Sequence, residues 1–423
     1  MANLAVVGAG VGGCSAAYFA RKYLSGVNVT IYDCQDRIGG RVLTCGVGGE
    51  SLELGAAFFS GFNRTLLGIA EVEGLKVAPI RERVDFGVWN GSEFVFRSSK
   101  RSFVTSLRLL AKYRLSLARA FLFLRKVRTQ VAKLYQELRN PVDMGDAFEC
   151  AGLDEWYKKH FLEVLIERDI SEDFIDEIVT PITRAIYSQN SDLGGFAGIS
   201  SLIGVYSGPT FSLVEGNSAL PIRLAEASNA VVKLGEKVDV IEKMANGAYR
   251  VFAGKDVEVF DGVVVATPLD LADIKFDSLA LESWEPQPYQ TVYRIGMRGV
   301  FDPSYFGLKK SGAPPAVVLT TEDLGPITQY SIRDYGEGEA LVTISSREPL
   351  DHDVFRSVFI DGGVSVFEHY WKAAYPVFKP AAKLPPTRLD KRLIYSSAIE
   401  SSVSSMETSA LSALNAVQML SRE

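Results

Sequence analysis

An apolar run opens the chain, and a glycine-rich segment follows it directly. Leu4–Val7 predicts a short buried strand, and residues 15–20, with the sequence SAAYFA, predict a helix. A second apolar run, residues 27–32, predicts another strand, which ends at Asp33. Strand, helix and strand in close succession are typical of a parallel sheet covered by helices, so the pattern predicts an α/β fold.

Apolar runs far along the chain predict further strands of the same domain. These strands fall at residues 231–234, 237–241, 249–252, 257–260, 261–269 and 392–395, and a helix is predicted at 405–414. We therefore expect a discontinuous first domain made of residues 1–75, 210–275 and 385–423. The stretches between them, residues 76–209 and 276–384, would form a second domain of α+β type.

The segment 100–139 stands apart from the rest of the chain in its charge. It carries eleven Lys or Arg residues and one acid, Glu137, whereas the whole chain has a net charge of −6. Apolar residues recur in this segment at helical spacing, for example Leu124, Val127, Val131 and Leu134. The pattern predicts a basic amphipathic helix or pair of helices. Two interpretations stay open: a helical cap with its cations in water, or a peripheral contact with an anionic membrane surface.

Composition excludes several classes of protein. The 423 residues, with 47% hydrophobic residues and a mean hydropathy of +0.09, fit a globular protein with two large domains or with one domain and an elaborate insertion. A net charge of −6 argues against nucleic-acid binding. Three histidines and the absence of a C-x-x-C pair argue against a metal site.

Targeting segments are not expected either. No run of about 18 apolar residues is present, so no transmembrane helix is expected. Because the first predicted strand begins at Leu4, a signal peptide has no room. We therefore expect a cytoplasmic protein, or a lysosomal one if the sequence is a trimmed form of a longer chain.

The glycine-rich segment after the first strand predicts a dinucleotide site. Gly8, Gly10 and Gly13 form the G-x-G-x-x-G spacing, and Gly12 lies within it. The first glycine permits a tight turn, the second lets a pyrophosphate approach the backbone, and the third lets helix and strand pack closely. The start of the helix offers free N–H groups to the phosphates. Asp33 follows at the spacing of about 20 residues expected for a carboxylate that binds ribose hydroxyls.

A second glycine pair and an arginine come soon after Asp33. Residues 37–41 read RIGGR, which resembles the FAD-binding proteins of the amine oxidase and glutathione reductase type. The resemblance implies a Rossmann-type FAD-binding domain in which Gly40 and Arg41 lie along the phosphates. It also implies that the first domain binds FAD and the second domain binds substrate.

Further motifs carry a more specific resemblance. They comprise residues 53–59 (ELGAAFF), 181–190 (PITRAIYSQN), 214–217 (VEGN) and 398–416, which contains METSA. In this order, and over nearly the whole chain, they resemble the prenylcysteine oxidase family, also called prenylcysteine lyases. The resemblance implies an FAD-dependent thioether oxidase acting on the farnesyl- or geranylgeranyl-cysteine left when prenylated proteins are degraded. Hydride would pass to the flavin, water would release cysteine and a prenyl aldehyde, and molecular oxygen would give hydrogen peroxide.

The resemblance also assigns the cofactor contacts. Gly55 and Ala56 would pass beneath the isoalloxazine ring, and the backbone of Val238 would lie beside adenine. The pyrophosphate and the flavin pyrimidine would lie near Glu400 and the backbone of Met406 and Glu407 in the C-terminal segment. There the helix start could stabilise negative charge on the reduced flavin. No cysteine follows Cys150, so we expect FAD to be bound non-covalently.

The substrate pocket has three aromatic or amide candidates. They are Tyr187, Gln189 and Tyr375, and core packing is the alternative interpretation for each. No side chain is assigned a catalytic role, because the reaction is centred on the flavin.

Other functions on the same scaffold stay open. One is an amine oxidase or an isoprenoid desaturase. Another is a binder of prenylated proteins that resembles the Rab GDP-dissociation inhibitors and carries no flavin. The complete glycine set, Asp33, Arg41 and the small-residue C-terminal helix favour retained FAD.

Overall fold

The computed structural model describes residues 1–80, 85–99, 101–206 and 208–422. The helices are α1 (Val11–Tyr23), α2 (Arg64–Val72), α3 (Ser102–Glu137), α4 (Met144–Ala151), α5 (Asp154–Tyr157), α6 (Phe161–Ile166), α7 (Glu172–Phe174), α8 (Thr180–Tyr187), α9 (Gly195–Tyr206), α10 (Ala219–Ser228), α11 (Leu269–Ala272), α12 (His352–Arg356) and α13 (Met406–Ser421). A π-helix spans Ile175–Val179, and 3-10 helices span Pro303–Phe306, Glu322–Leu324 and Ser396–Ser401.

The strands are β1 (Asn3–Val7), β2 (Asn28–Asp33), β3 (Thr44–Val47), β4 (Glu50–Glu53), β5 (Phe59–Ser60), β6 (Val77–Pro79), β7 (Phe86–Trp89), β8 (Phe94–Arg97), β9 (Thr210–Leu213), β10 (Val231–Leu234), β11 (Val238–Lys243), β12 (Tyr249–Ala253), β13 (Asp256–Phe260), β14 (Gly262–Val265), β15 (Lys275–Asp277), β16 (Tyr289–Gly299), β17 (Val317–Thr320), β18 (Ile327–Gly336), β19 (Glu339–Ser346), β20 (Val364–Pro376), β21 (Arg388–Asp390) and β22 (Leu393–Tyr395).

A six-stranded sheet forms the first half of the molecule. Its order is β10-β2-β1-β14-β22-β21, and every neighbouring pair is parallel except β22 with β21. The strands come from three separate stretches of the chain, which confirms the predicted α/β class. Because parallel strands share one carboxyl edge, the loops after β1, β2, β14 and β22 meet there.

The two faces of this sheet bury different layers. Leu4 and Val6 on β1 pack with residues of α1, α10 and α13 in one hydrophobic cluster. Ala5 and Val7, which point the other way, pack against the four-stranded sheet β13-β12-β11-β15, in which only the pair β11 with β15 is parallel. This alternation follows from the two-residue period of a strand, and both faces being buried explains why the run is apolar throughout.

A seven-stranded sheet forms the second half, in the order β20-β16-β19-β18-β17-β7-β8. Its strands come only from residues 86–97 and 289–376. Helix α8 packs on β17 and β18, and α3 to α9 contribute to one large hydrophobic cluster beside this sheet. The space between the sheet and these helices faces the carboxyl edge of the parallel sheet.

The basic segment forms one long helix with an interruption. Arg114 has φ 39° and ψ −109°, so α3 consists of two helical segments joined at a kink. After the kink, Val127, Val131 and Leu134 are buried, as their spacing predicts. Before it, Leu109 and Tyr113 pack in the core, whereas Leu107 and Leu110 are exposed and face away from it.

Two kinds of feature are not found among the described residues. No helix in that part of the chain is both long and apolar enough to cross a membrane. Nor does it contain a group of three or more His, Cys, Asp or Glu side chains that could hold a metal ion.

Candidate active site

One cavity of about 1780 Å³ connects the two halves of the molecule. It follows the carboxyl edge of the parallel sheet and continues between the seven-stranded sheet and helices α3, α8 and α9. Pockets for one small ligand usually have roughly 300–1,000 Å³. The cavity is therefore large enough for a dinucleotide and a second ligand together.

The glycine loop lies between β1 and α1 at one end of this cavity. Gly8, Gly10 and Gly12 line the cavity, and Gly8 has φ +107°, a conformation that favours glycine. Gly13 does not line it: a Cβ there would lie 1.8 Å from the Gly8 carbonyl oxygen, so this glycine serves the packing of helix on strand. Because the N-cap of α1 is Gly10, the N–H groups of the first turn remain available to a phosphate.

Asp33 lies at the end of β2, next to the glycine loop. Its carboxylate accepts hydrogen bonds from the backbone N–H groups of Ala9 (2.6 Å) and Gln35 (2.8 Å), and it lines the cavity. The Glu236 N–H donates to the Asp33 carbonyl oxygen (2.9 Å), which brings the start of β11 to the same place. Val238 is buried there and also lines the cavity. The predicted roles of Asp33 at the ribose and Val238 at adenine are compatible with these positions.

An ion pair joins the second glycine loop to the C-terminal segment. Arg41 donates through Nη1 to Glu400 Oε1 and to the carbonyl oxygen of Ala374 (3.3 Å). Glu400 also accepts a hydrogen bond from Ser404 Oγ (3.2 Å). Burial opposes the charge of Arg41, but the carboxylate of Glu400 more than offsets it and raises the pKa of the guanidinium. Both side chains line the cavity, so the predicted phosphate ligand Arg41 is held by the predicted cofactor residue Glu400.

The second glycine loop, which contains Gly40 and Arg41, lies close to the segment that contains Gly55 and Ala56. Arg37 Nη2 donates to the Gly40 carbonyl oxygen (2.6 Å) and holds the loop. A Cβ at Gly55 would lie 2.1 Å from the Arg41 carbonyl oxygen, and the Ala56 N–H donates to that same oxygen (3.2 Å). Gly40, Gly55 and Ala56 all line the cavity.

The C-terminal helix reaches the cavity through one of its two predicted residues. Met406, the first residue of α13, lines the cavity. The Glu407 side chain does not: its carboxylate accepts hydrogen bonds from the N–H groups of Thr65 and Leu66, both at 2.9 Å. The side chain of Glu407 is buried at the start of α2. It acts as the cap of that helix, because the N-cap residue Asn63 makes no side-chain cap hydrogen bond. The contact predicted for Glu407 is through its backbone, and it stays a prediction.

Two of the three predicted pocket residues line the cavity. The rings of Tyr187 and Tyr375 meet edge to face, with centroids 5.3 Å apart, and Tyr187 Oη donates to the Ser404 carbonyl oxygen (3.2 Å). The prediction for Gln189 is wrong. Its Nε2 donates to the Pro376 carbonyl oxygen (2.9 Å) and its Oε1 accepts from the Phe378 N–H (2.9 Å). Both ends of the amide are used to join two chain segments, outside the cavity wall.

Apolar residues that sequence reasoning missed form the far end of the cavity. We call this part the apolar chamber; it is lined by Val131 and Tyr135 on α3, Ile182 and Ile186 on α8, and Phe196 and Ile203 on α9. Two of the helices contribute residues spaced four apart, which is the signal that could have found them. Such spacing also occurs in any packed helix, so it does not by itself predict a cavity.

The sheet wall of the cavity is more polar and was also missed. Arg294 on β16 lies directly opposite His369 on β20, and both line the cavity. The cavity wall continues with Gln329 and Ser331 on β18 and Thr343 on β19. The wall of α3, α8 and α9 is thus mainly apolar, whereas the facing sheet carries several hydrogen-bonding groups and charged residues, namely Arg294, Arg333, Asp334 and Lys372.

This architecture defines a class of protein before it defines a family. A parallel sheet with a glycine loop at its carboxyl edge is typical of dinucleotide-binding proteins. The family model of the NAD(P)-binding Rossmann-like domain matches residues 6–69, which agrees with this class. The family model of prenylcysteine lyase matches residues 96–423. The chain belongs to the prenylcysteine lyase family.

Individual proteins are similar over almost the whole chain. Farnesylcysteine lyase of Arabidopsis thaliana is 30% identical over 445 residues, which cover 99% of this chain and 88% of that protein. Prenylcysteine oxidase 1 of Homo sapiens is 25% identical over 450 residues, with 98% and 88% covered. The solved structure of cyclohexylamine oxidase from Brevibacterium oxydans covers 100% of this chain and 99% of its own, with a TM-score of 0.68 at 15% identity. That similarity shows a shared fold.

Proposed function

We propose that this protein is an FAD-dependent oxidoreductase that cleaves the thioether of farnesyl- or geranylgeranyl-cysteine. One molecule each of substrate, water and oxygen would give one prenyl aldehyde, one cysteine and one hydrogen peroxide. Membership of the prenylcysteine lyase family supports the thioether substrate. The observation that carries the proposal is the continuous cavity, which joins the glycine loop to the apolar chamber.

The residues along the cavity fit FAD. The start of α1 has free N–H groups and no side chain at its N-cap, and Asp33 offers a carboxylate oriented by two N–H donors. Cys34 is the cysteine that lines the cavity, and it lies at the ribose end beside Asp33 rather than near the apolar chamber. We therefore propose a non-covalent cofactor. When bound, FAD accepts the hydride from the substrate carbon next to sulfur.

The protein's own groups position the substrate rather than exchange protons with it. Burial raises the pKa of both Tyr187 and Tyr375, so these phenols stay protonated and neutral in the cavity. Their rings pack edge to face and line the same cavity as the Arg41–Glu400 pair and the apolar chamber. The chamber holds a long apolar chain and excludes water from it, which fixes the reacting carbon without an acid or base.

The test is product analysis with FAD-loaded protein and farnesylcysteine in air. Equal amounts of farnesal, free cysteine and hydrogen peroxide are expected. Formation of aldehyde and cysteine without peroxide would show that the electron acceptor is a molecule other than oxygen. Release of ammonia from amines, with farnesylcysteine untouched, would contradict the proposal and favour an amine oxidase. Tight binding of farnesylated peptide by a protein that takes up no flavin would favour the binder that resembles Rab GDP-dissociation inhibitors.

We further propose that the first segment of α3 contacts an anionic membrane surface. Phe103, Leu107 and Leu110 follow one another at helical spacing and are 72%, 48% and 52% exposed. Two cations of the same segment turn towards the protein instead. Arg108 Nη1 donates to the Arg97 carbonyl oxygen (3.1 Å), and Lys112 Nζ donates to the Val95 carbonyl oxygen on β8 (2.9 Å). Leu109 packs against the core, so this segment has a second apolar side, which faces outward.

Charge at the kink and beyond it favours an anionic lipid surface as the partner. Arg114, Arg125 and Lys126 are exposed, and none has an ion-pair partner among the described residues. Leu115 and Leu122 are exposed beside them, at 67% and 63%. Exposed apolar side chains with cations around them are typical of helices that lie in a membrane interface.

Vesicle sedimentation tests this contact. The protein should bind vesicles that contain phosphatidylserine more strongly than neutral ones, and Leu107→Ser with Leu110→Ser should weaken that binding about tenfold. Ile360→Ser, which removes an exposed apolar residue elsewhere, is the control. Unchanged binding by the double variant would contradict the contact. Self-association that the double variant abolishes would instead assign this face to a second copy of the chain.

A further inference from the structure

Two side chains on the cavity wall contain polar atoms without a partner. Arg294 Nε and His369 Nε2 are both shielded from solvent, and neither has a hydrogen-bond partner among the described residues. The two residues are cross-strand neighbours on β16 and β20. Buried polar groups in folded proteins are normally satisfied, so two adjacent exceptions on a cavity wall indicate a missing ligand.

No acidic side chain of the described chain neutralises Arg294. Glu53 is the acid that acts on its charge, but it forms no ion pair with it. The Glu53 carboxylate is held elsewhere, by the Asn217 N–H (2.7 Å) and by Thr44 Oγ1 (3.0 Å). Arg294 is partly buried, its Nε is shielded from solvent, and it lacks a counter-charge from an acidic side chain, which favours an anion from outside the protein.

The surroundings of Arg294 restrict what that anion belongs to. Arg294 lies on the sheet wall of the cavity, and the apolar chamber lies on the helical wall of the same cavity. A ligand that satisfies both walls has one anionic end and one long apolar end. A planar carboxylate suits Arg294, because a guanidinium can donate two parallel hydrogen bonds to it.

We infer that Arg294, with His369 beside it, binds the α-carboxylate of a thioether amino acid whose apolar substituent fills the apolar chamber. This inference rests on the proposed function and adds to it the group that recognises the cysteinyl end. Arg294 is then a specificity-determining residue: it selects free prenylcysteine over substrates whose carboxylate is esterified, amidated or absent. His369, kept neutral by burial and by neighbouring arginines, donates or accepts the additional hydrogen bond.

The first experiment compares three substrates that differ only at the carboxylate. They are farnesylcysteine, its methyl ester, and farnesylcysteamine, which has no carboxylate. The wild-type protein should show a KM for the last two that is roughly ten- to hundredfold higher, the effect of losing a charged hydrogen-bonded partner. In Arg294→Gln, the KM for farnesylcysteine should rise by a similar factor while that for farnesylcysteamine stays the same.

A binding measurement separates recognition from turnover. S-dodecylcysteine has a chain of similar length but no allylic carbon next to sulfur, and S-dodecylcysteamine is its partner without a carboxylate. Calorimetric titration should show wild-type protein preferring dodecylcysteine, and Arg294→Gln binding both equally. Arg298→Gln is the matched control, because Arg298 is on the same strand, pairs with Glu339 (3.1 Å), and does not line the cavity.

The outcomes distinguish this inference from the proposed function. If the wild-type protein oxidises none of the three substrates, the proposed function fails, and the dodecylcysteine titration alone decides the carboxylate site. If farnesylcysteine and its carboxylate-free analogues react with equal KM, the inference is wrong and the oxidase stands. If Arg294→Gln loses FAD, or loses activity equally on all substrates, Arg294 serves the cofactor or the fold instead.

Discussion

Arginine side chains on the cavity wall differ in how their charge is balanced. Arg41 is paired with Glu400, whereas Arg294 has no carboxylate partner among the described residues. Removing the acid from the first pair leaves a cation that is largely buried. Glu400→Gln should lower the free energy of unfolding of the FAD-free protein by about 1–3 kcal/mol, measured by urea denaturation.

A surface ion pair provides the control for that prediction. Glu282 pairs with Lys383 (2.8 Å), and both side chains are about two-thirds exposed, at 68% and 65%. Glu282→Gln should leave the free energy of unfolding nearly unchanged, because solvent screens the pair. Equal effects of the two substitutions would show that the Arg41–Glu400 pair is not a buried interaction.

Neighbouring glycines of the first loop serve different purposes. A Cβ at Gly13 would lie 1.8 Å from the Gly8 carbonyl oxygen, whereas one at Gly12 would find its nearest neighbours at 3.8 Å. Gly13→Ala should therefore destabilise the FAD-free protein by about 1–3 kcal/mol in thermal or urea unfolding. Gly12→Ala should keep that stability and weaken FAD binding about tenfold, because Gly12 lines the cavity and Gly13 does not. Normal FAD affinity in Gly12→Ala would contradict the assigned position of the pyrophosphate.

His369 should make stability depend on pH in a defined direction. Burial, and then the charges of Arg37 and Arg294, lower the pKa of His369 from its ordinary value of 6.5. Between the lowered folded-state value and 6.5 the unfolded chain binds more protons, so the free energy of unfolding falls as the pH drops through this window. His369→Gln should lose less stability than the wild type between about pH 7 and pH 5 in urea denaturation. The exposed His352→Gln should behave as the wild type does; a wild-type slope in His369→Gln would contradict this account.

At the scale of elements, one helix supplies the cap of another. Glu407 of α13 accepts hydrogen bonds from the first turn of α2, at Thr65 and Leu66. Glu407→Ala should cost about 1–2 kcal/mol of unfolding free energy and leave FAD affinity unchanged. Glu71→Ala, an exposed position within α2, is the control and should be nearly neutral. If Glu407→Ala loses FAD affinity while its stability is unchanged, the side chain of Glu407 serves the cofactor site and not the cap of α2.

Elements with a strong local signal were predictable from the sequence. The first strand, the first helix and the second strand could be predicted, because an apolar run, a glycine motif and an acidic strand end occur together there. The basic helix was predicted, but its outward apolar side was not, since it depends on Arg108 and Lys112 finding carbonyl partners on neighbouring segments. Gln189 was misassigned for a similar reason: its two partners, Pro376 and Phe378, are far away in sequence.

At the scale of the whole molecule, the site is assembled from distant segments. Arg41 and Glu400 are 359 positions apart, and Arg294 and His369 meet only because β16 pairs with β20. Single-residue patterns contain no information on such pairings, so the pair and the carboxylate site required the fold. The strands of the parallel sheet come from the three stretches that the sequence indicated, and the domain boundaries stay a prediction.

The central claim is that a flavin and a prenylated cysteine occupy one cavity. The most direct measurement is an anaerobic titration of FAD-loaded protein with farnesylcysteine, followed by the visible absorbance of the flavin. One equivalent of substrate should bleach one equivalent of flavin, and admission of air should restore the colour with release of peroxide. A flavin that stays oxidised under excess farnesylcysteine, in a protein that binds it, would contradict the claim.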